Sequence, residues 1–216
     1  MKNIVLIGAS GFVGSAILKE ALERSYNVKA VVRNPENVKV ESKHLQLIKA
    51  DVTDIKKLAE IVKGSDAIIS AYNPGWSNPN IYDDTLKGYK SIIDAAKQAG
   101  VSRLQVVGGA GSLLVAPGKT VLQSGVIPDA IKPGVESLAK VLTDYLLPEK
   151  QLDWVFFSPA GTIEPGERTG KYRLGKDNLI VDEKGNSKIS VEDYAKAMLD
   201  ELEAPKHHRE RFTIGY

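Results

Sequence analysis

The chain has 216 residues, 43% hydrophobic and 26% charged, with a formal net charge of +2 and no cysteine. That composition is of an ordinary globular protein. It excludes a nucleic-acid binder, which would carry a concentrated basic patch, and a membrane span, since no apolar run approaches ~18 residues. Without cysteine there is no disulfide framework, thiol nucleophile or thiolate metal site; no metal is expected, and the expected compartment is the cytoplasm.

The opening MKNIVLIGAS holds a four-residue apolar run, Ile4 to Ile7, that enters a glycine turn with no cleavage segment, so it reads as a buried strand and not as an export signal. From there strand and helix signals alternate, the pattern of a parallel sheet covered on both faces. Phe12 to Arg24 reads as a helix with Val13, Ile17, Leu18, Ala21 and Leu22 on one face. Val28 to Val32 and Leu45 to Ile48 read as strands, Ile55 to Val62 as a helix capped by Asp54, and Ala67 to Ile69 as the fourth strand. Tyr72 to Pro79, with two prolines and a glycine, is a loop. A helix from Ile81 to Gln98 stops at Gly100, and the fifth strand is Leu104 to Val107.

Ser112 to Pro133 reads as irregular, Gly134 to Leu147 as a helix, and Trp154 to Phe157 as the sixth strand. Pro159 to Lys188 is rich in Gly and Pro and is expected to form turns and a short ribbon. Ser190 caps a helix beginning at Val191, with Asp193 in its first turn, and Arg211 to Ile214 is a last strand. The basic cluster Lys206-His207-His208-Arg209 with Arg211 reads as solvated. No repeat or linker divides the chain. The expected fold is a single α/β domain, a Rossmann-type doubly wound parallel sheet: a dinucleotide-binding core over 1–157 and a small substrate-side elaboration over 158–216.

Gly8-Ala9-Ser10-Gly11-Phe12-Val13-Gly14 follows a strand and opens a helix, the context in which a dinucleotide fingerprint works. Gly8 allows the tight turn, Gly11 lets the backbone approach a pyrophosphate, and Gly14 lets helix and strand pack closely. Free N–H groups at the helix start then face the phosphates. The G-x-x-G-x-x-G spacing resembles the short-chain dehydrogenase/reductase superfamily, particularly its extended and atypical members. Matching stretches follow in order: Val31-Val32-Arg33-Asn34-Pro35, Asp51-Val52-Thr53-Asp54, Ser70-Ala71, Gly108-Gly109-Ala110-Gly111-Ser112, Pro165 to Tyr172, and Ile189 to Ala195. Together they look like NAD(P)H-binding proteins described as NADH-flavin reductases, some of which carry the looser label of NAD-dependent epimerase/dehydratase. The resemblance implies that Asp51 and Val52 hold the adenine, that Ala71 lies beside the adenosine ribose, and that Ser70, Tyr72 and Gly109 join the cofactor site. A helix-capping Asp51 and plain core residues are the alternative. At the end of the second strand, where an acid would mark NAD(H), stands Arg33, which favours NADP(H).

Tyr72, Trp76 and Tyr82 could form an aromatic wall for a flat substrate or pack their own loop. Superfamily carbonyl reductases use Tyr-x-x-x-Lys, in which the lysine lowers the tyrosine pKa. Here Lys140 can take the lysine place, but Glu136 stands where the tyrosine should be, and Tyr172 to Lys176 matches by chance. Ser112 is the nearest hydroxyl to the superfamily's active-site serine, though Gly111 could equally take that place. The expected function is an NAD(P)H-dependent reductase of a flavin, quinone or similar flat acceptor. A non-catalytic dinucleotide sensor is the first alternative and a sugar-nucleotide epimerase or dehydratase the second. The expected partner is a small-molecule substrate, with no nucleic acid or membrane and with the oligomeric state open.

Overall fold

A computed structural model describes residues 2–216. Ile4, Val5, Leu6 and Ile7 are all buried, so β1 (Asn3–Ile7) has helices over both of its faces. The first half alternates: α1 (Phe12–Glu23), β2 (Asn27–Val32), β3 (Leu45–Lys49), α2 (Ile55–Val62), β4 (Ala67–Ser70), α3 (Ile81–Ala99) and β5 (Arg103–Val107). The predicted punctuation works physically. The Asp54 carboxylate accepts from the Lys57 amide at the start of α2, and Gly100 ends α3 in the left-handed region, at φ 70, where a side chain would be strained.

The second half is less regular. β6 (Leu114–Ala116) and β7 (Lys119–Thr120) form a small hairpin, followed by α4 (Val121–Ser124) and α5 (Lys132–Lys140). Then come β8 (Asp153–Ser158), β9 (Thr162–Glu164), β10 (Arg173–Gly175), β11 (Lys188–Ser190), α6 (Val191–Glu203) and β12 (Glu210–Gly215). One eight-stranded sheet runs in the order β10-β12-β8-β5-β4-β1-β2-β3. Its neighbours are parallel except β10 against β12, the doubly wound arrangement of a Rossmann-type sheet. The winding reverses between β1 and β4, and a crevice opens at their carboxyl ends.

Alternation along β1 sends Ile4 and Leu6 to one face and Val5 and Ile7 to the other. The first face packs with Ile17 and Leu18 of α1 and Met198 and Leu199 of α6. The second packs with Leu58 of α2, Tyr89 and Ile92 of α3, and Val141 beyond α5.

Four expectations need correction. Ser112 to Pro133 is not irregular throughout: Leu114 pairs with Thr120 across the β6–β7 hairpin, and Thr120 and Gln123 form a capping box at α4. The helix expected over Gly134 to Leu147 begins at Lys132 and turns π-helical over Val141–Leu146, a widening that leaves Val141, Leu142 and Leu146 all buried. The region after residue 157 is only partly an elaboration, because α6 covers the sheet face beside α1 while β12 and β10 extend the sheet. The basic cluster is not uniformly solvated. The His207 ring stacks on Phe212 at 4.1 Å, and Arg211 donates to the Ser112 carbonyl at 2.8 Å and to its Oγ at 3.0 Å.

Candidate functional site

The three glycines of the first turn serve different purposes. Gly8 has φ 83, its amide donates to the Val31 carbonyl at 3.1 Å, and a Cβ there would lie 2.5 Å from the Ala71 carbonyl oxygen. At Gly14 a Cβ would lie 2.1 Å from the Gly8 carbonyl oxygen, so it allows α1 to sit on the turn. Gly11 meets only the Gly8 carbonyl oxygen, at 3.4 Å; its missing side chain leaves open space. Gly11 also caps α1 without a side-chain hydrogen bond, so no side chain takes the first-turn N–H groups.

That open space belongs to a cavity of about 370 Å³ at the carboxyl ends of β1, β2, β3 and β4. Of the sequence candidates, Gly8, Ser10, Gly11, Arg33, Asp51, Val52, Ala71 and Tyr72 line it. Phe12, Val13, Gly14, Ser70 and Gly109 do not. The Phe12 side chain is exposed and Val13 packs toward the core, which leaves only their amides at the helix start to meet a ligand. Ser70 is fully buried and its Oγ accepts from the Tyr72 amide at 3.4 Å. Gly109 lies farther along the sheet, against Leu138.

Opposite charges face each other in the cavity. Asp51 Oδ1 accepts from the Thr53 amide and hydroxyl, each at 2.8 Å, and these bonds, with smaller help from Arg33 and Lys87, hold its carboxyl below the ordinary range. Arg33 makes one long hydrogen bond, to the Pro74 carbonyl at 3.3 Å. The Tyr72 hydroxyl donates to the Asp84 carbonyl at 3.2 Å, and burial pushes its pKa up to about 12. The Tyr72 ring meets Tyr89 edge-on at 5.8 Å and lies where a Cβ on Gly88 would be. Tyr72 is thus a fixed wall of the cavity, its hydroxyl already engaged by the Asp84 carbonyl.

Toward β5 the candidates Ser112 and Lys140 are engaged by other side chains. The Ser112 hydroxyl accepts from Arg211. Lys140 is half-exposed and pairs with Asp144 at 3.5 Å, while Glu136 pairs with Lys132 at 3.9 Å, so both lie on the solvent side of their helix. The side of α5 toward the β5 end carries Val135 against Gly111 and Leu138 against Gly109. One turn before Leu138 stands Gly134, over which the Trp76 ring and Ile81 pack; a Cβ there would lie 2.8 Å from Trp76 Cζ3. Trp76 remains 54% exposed, leaving it accessible to a bound molecule. Tyr172 is remote, donating to Asp200 at 2.9 Å, and Lys176 pairs with Glu210.

A family model described as NAD(P)H-binding matches residues 8–205. The chain belongs to this NAD(P)H-binding family. A candidate epimerase from Bacteroides thetaiotaomicron is 60% identical with a TM-score of 0.94, over all of this chain and 97% of that one. A candidate NADH-flavin reductase from Streptococcus pneumoniae TIGR4 is 33% identical with a TM-score of 0.86, over 100% and 99%. The uncharacterized protein YwnB of Bacillus subtilis (strain 168) is 40% identical over 215 residues, 98% of this chain and 97% of that protein. The cavity therefore lies in a domain of an NAD(P)H-binding family.

Sequence reasoning missed Asn34, Asn37, Thr53, Asn73, Pro74, Asp84 and Lys87, which also line the cavity. Thr53 and Asn34 adjoin residues already singled out. Asp84 and Lys87 carry no local signal, because their place depends on how α3 packs beside β4.

Proposed function

We propose that the chain is an NAD(P)H-dependent reductase that passes hydride to a flavin, a quinone or a similar flat acceptor. One observation carries this reading: the side of α5 toward the β5 end presents Gly134, Val135 and Leu138 where a carbonyl reductase needs a proton donor. Hydride transfer to a flat redox ring needs face-to-face positioning and takes its protons from water. The dinucleotide enters along the cavity, its adenine beside Asp51 and Val52, its pyrophosphate over Gly11 and the first-turn amides. When bound, it supplies the hydride. The exposed ring of Trp76 gives the acceptor a stacking surface, and Arg33 favours NADP(H) over NAD(H).

The same lack of acid–base groups supports a second reading, a dinucleotide sensor without turnover. A sugar-nucleotide epimerase or dehydratase fits less well, since that chemistry needs the tyrosine. The test is oxidation of NADPH and NADH by the purified protein with FMN, riboflavin and quinones, beside binding titrations of both dinucleotides. Turnover with a flat acceptor is expected. Tight binding without turnover selects the sensor, and turnover with an aldehyde or ketone alone overturns both. The lack of cysteine fits a cytoplasmic site of action, which cell fractionation would check. No helix among the described residues is long and apolar enough to cross a membrane.

A further inference from the structure

Arg33 is one of two cations in the cavity. The other, Lys87, comes from α3. Its neighbours at helical spacing are Asp83 and Asp84, four and three residues earlier, where a lysine ordinarily finds a carboxylate. Yet the Lys87 ammonium makes no ion pair or hydrogen bond among the described residues, whereas the comparable spacings Lys90–Asp94, Lys132–Glu136 and Lys140–Asp144 all pair. The Asp84 carboxylate instead accepts from Asn78 at 2.8 Å.

Both acids of the cavity are thus hydrogen-bonded by neutral donors, Asp51 by Thr53 and Asp84 by Asn78, while neither cation makes an ion pair among the described residues, Asp51 acting on both only at longer range. Arg33 has only its long bond to Pro74. Asn34 and Asn37 line the same cavity, and their side-chain amides make no hydrogen bond among the described residues. A cleft holding two cations without a close ion pair and two free amides beside an adenine site is chemically suited to a phosphate on the adenosine ribose, because phosphate oxygens accept from several such donors at once.

We infer that Lys87 acts with Arg33 to read a 2′-phosphate, making it a specificity-determining residue of the cofactor site. The inference rests on the dinucleotide reading above. Lys87 adds a point charge on a flexible stem where Arg33 supplies a planar fork. Because Lys87 is exposed and unpaired, replacing it leaves the fold intact.

The test titrates the parent, Lys87→Gln, Lys87→Arg and Arg33→Gln with NADPH, NADH, adenosine 2′,5′-bisphosphate and 5′-AMP, with thermal melts as a check on folding. Lys87→Gln is expected to weaken NADPH and the bisphosphate about tenfold, the scale of one charged hydrogen bond. NADH and 5′-AMP are expected to stay within about twofold, and Lys87→Arg to restore most of the loss. The salt dependence of NADPH binding should also become shallower in Lys87→Gln. An equal loss for phosphorylated and unphosphorylated ligands, or no loss, overturns the role of Lys87 while leaving the dinucleotide site standing. A parent that binds neither dinucleotide overturns the site and this inference together.

Discussion

At the scale of single residues, the three glycines of the first turn separate folding from binding. Gly8 and Gly14 face backbone carbonyls that any Cβ would strike, whereas Gly11 faces the cavity. Gly14→Ala is therefore expected to destabilise the fold by several kcal/mol, since backbone has to shift. Gly11→Leu is expected to melt like the parent and to lose dinucleotide binding, because its side chain fills the pyrophosphate path. Melts and NADPH titrations of both variants check this; a Gly11→Leu protein that bound normally would move the phosphate site elsewhere. Arg33→Ala is expected to weaken NADPH by about 1–3 kcal/mol, one charged hydrogen bond, with NADH nearly unchanged. An equal loss for both cofactors would show that Arg33 does not read the 2′-phosphate.

At the scale of elements, local chemistry was readable wherever it acts locally. Asp54, Gly100 and Ser190 each mark a helix end through a short-range bond or a positive φ. The doubly buried strand Ile4 to Ile7 and the glycine turn after it mark the cavity in the sequence itself. The helix before β8 was harder, since its π-helical turn answers to burial of Val141, Leu142 and Leu146 against distant elements. The superfamily resemblance offers Lys140 the lysine place of its pair; the structure pairs it with Asp144 on the solvent side. Lys140→Met is accordingly expected to leave cofactor Kd and turnover within about twofold, as for an exposed ion pair. Tyr172 tells the same lesson through a tertiary partner, as its hydroxyl is held by Asp200 of α6. Tyr172→Phe should alter kcat by less than ~10-fold, well under the ~10²–10⁴-fold of a positioned proton donor. A limb of the pH–rate profile that vanished in this variant would revive carbonyl reduction.

At the scale of the whole molecule, α6 is fastened at two places by carboxylates out of the cavity's reach. On one side Glu20 of α1 accepts from Arg24 at 2.7 Å and twice from Arg168, while Asp200 accepts from Arg24, Lys196 and Tyr172. On the other, Glu201 accepts from Arg103 at 2.8 Å, from the Lys206 and His207 amides and from the His207 ring at 2.8 Å, tying the end of α6 to β5. Burial raises the pKa of all three acids, but their donors outweigh it: Arg168 and Arg24 for Glu20, Lys196 and Tyr172 for Asp200, and His207 for Glu201. Each carboxyl therefore lies below its ordinary value. A depressed folded-state pKa contributes stability that is complete above the unfolded value, about 4, and disappears as pH falls through the folded value. The melting temperature is thus expected to hold near neutrality and to drop below about pH 4. Glu201→Gln isolates the β5 side, leaving the buried Arg103 guanidinium with Asp153 as its only carboxylate partner, at a cost of about 3 kcal/mol at pH 7. Because the variant no longer titrates at that position, its stability is expected to fall less steeply with acid than the parent's. Urea unfolding of both proteins at pH 7 and at pH 4 measures the difference. Parallel loss in the two would mean that Glu201 titrates alike in the folded and unfolded chains, and would leave Glu20 and Asp200 to account for the acid limb.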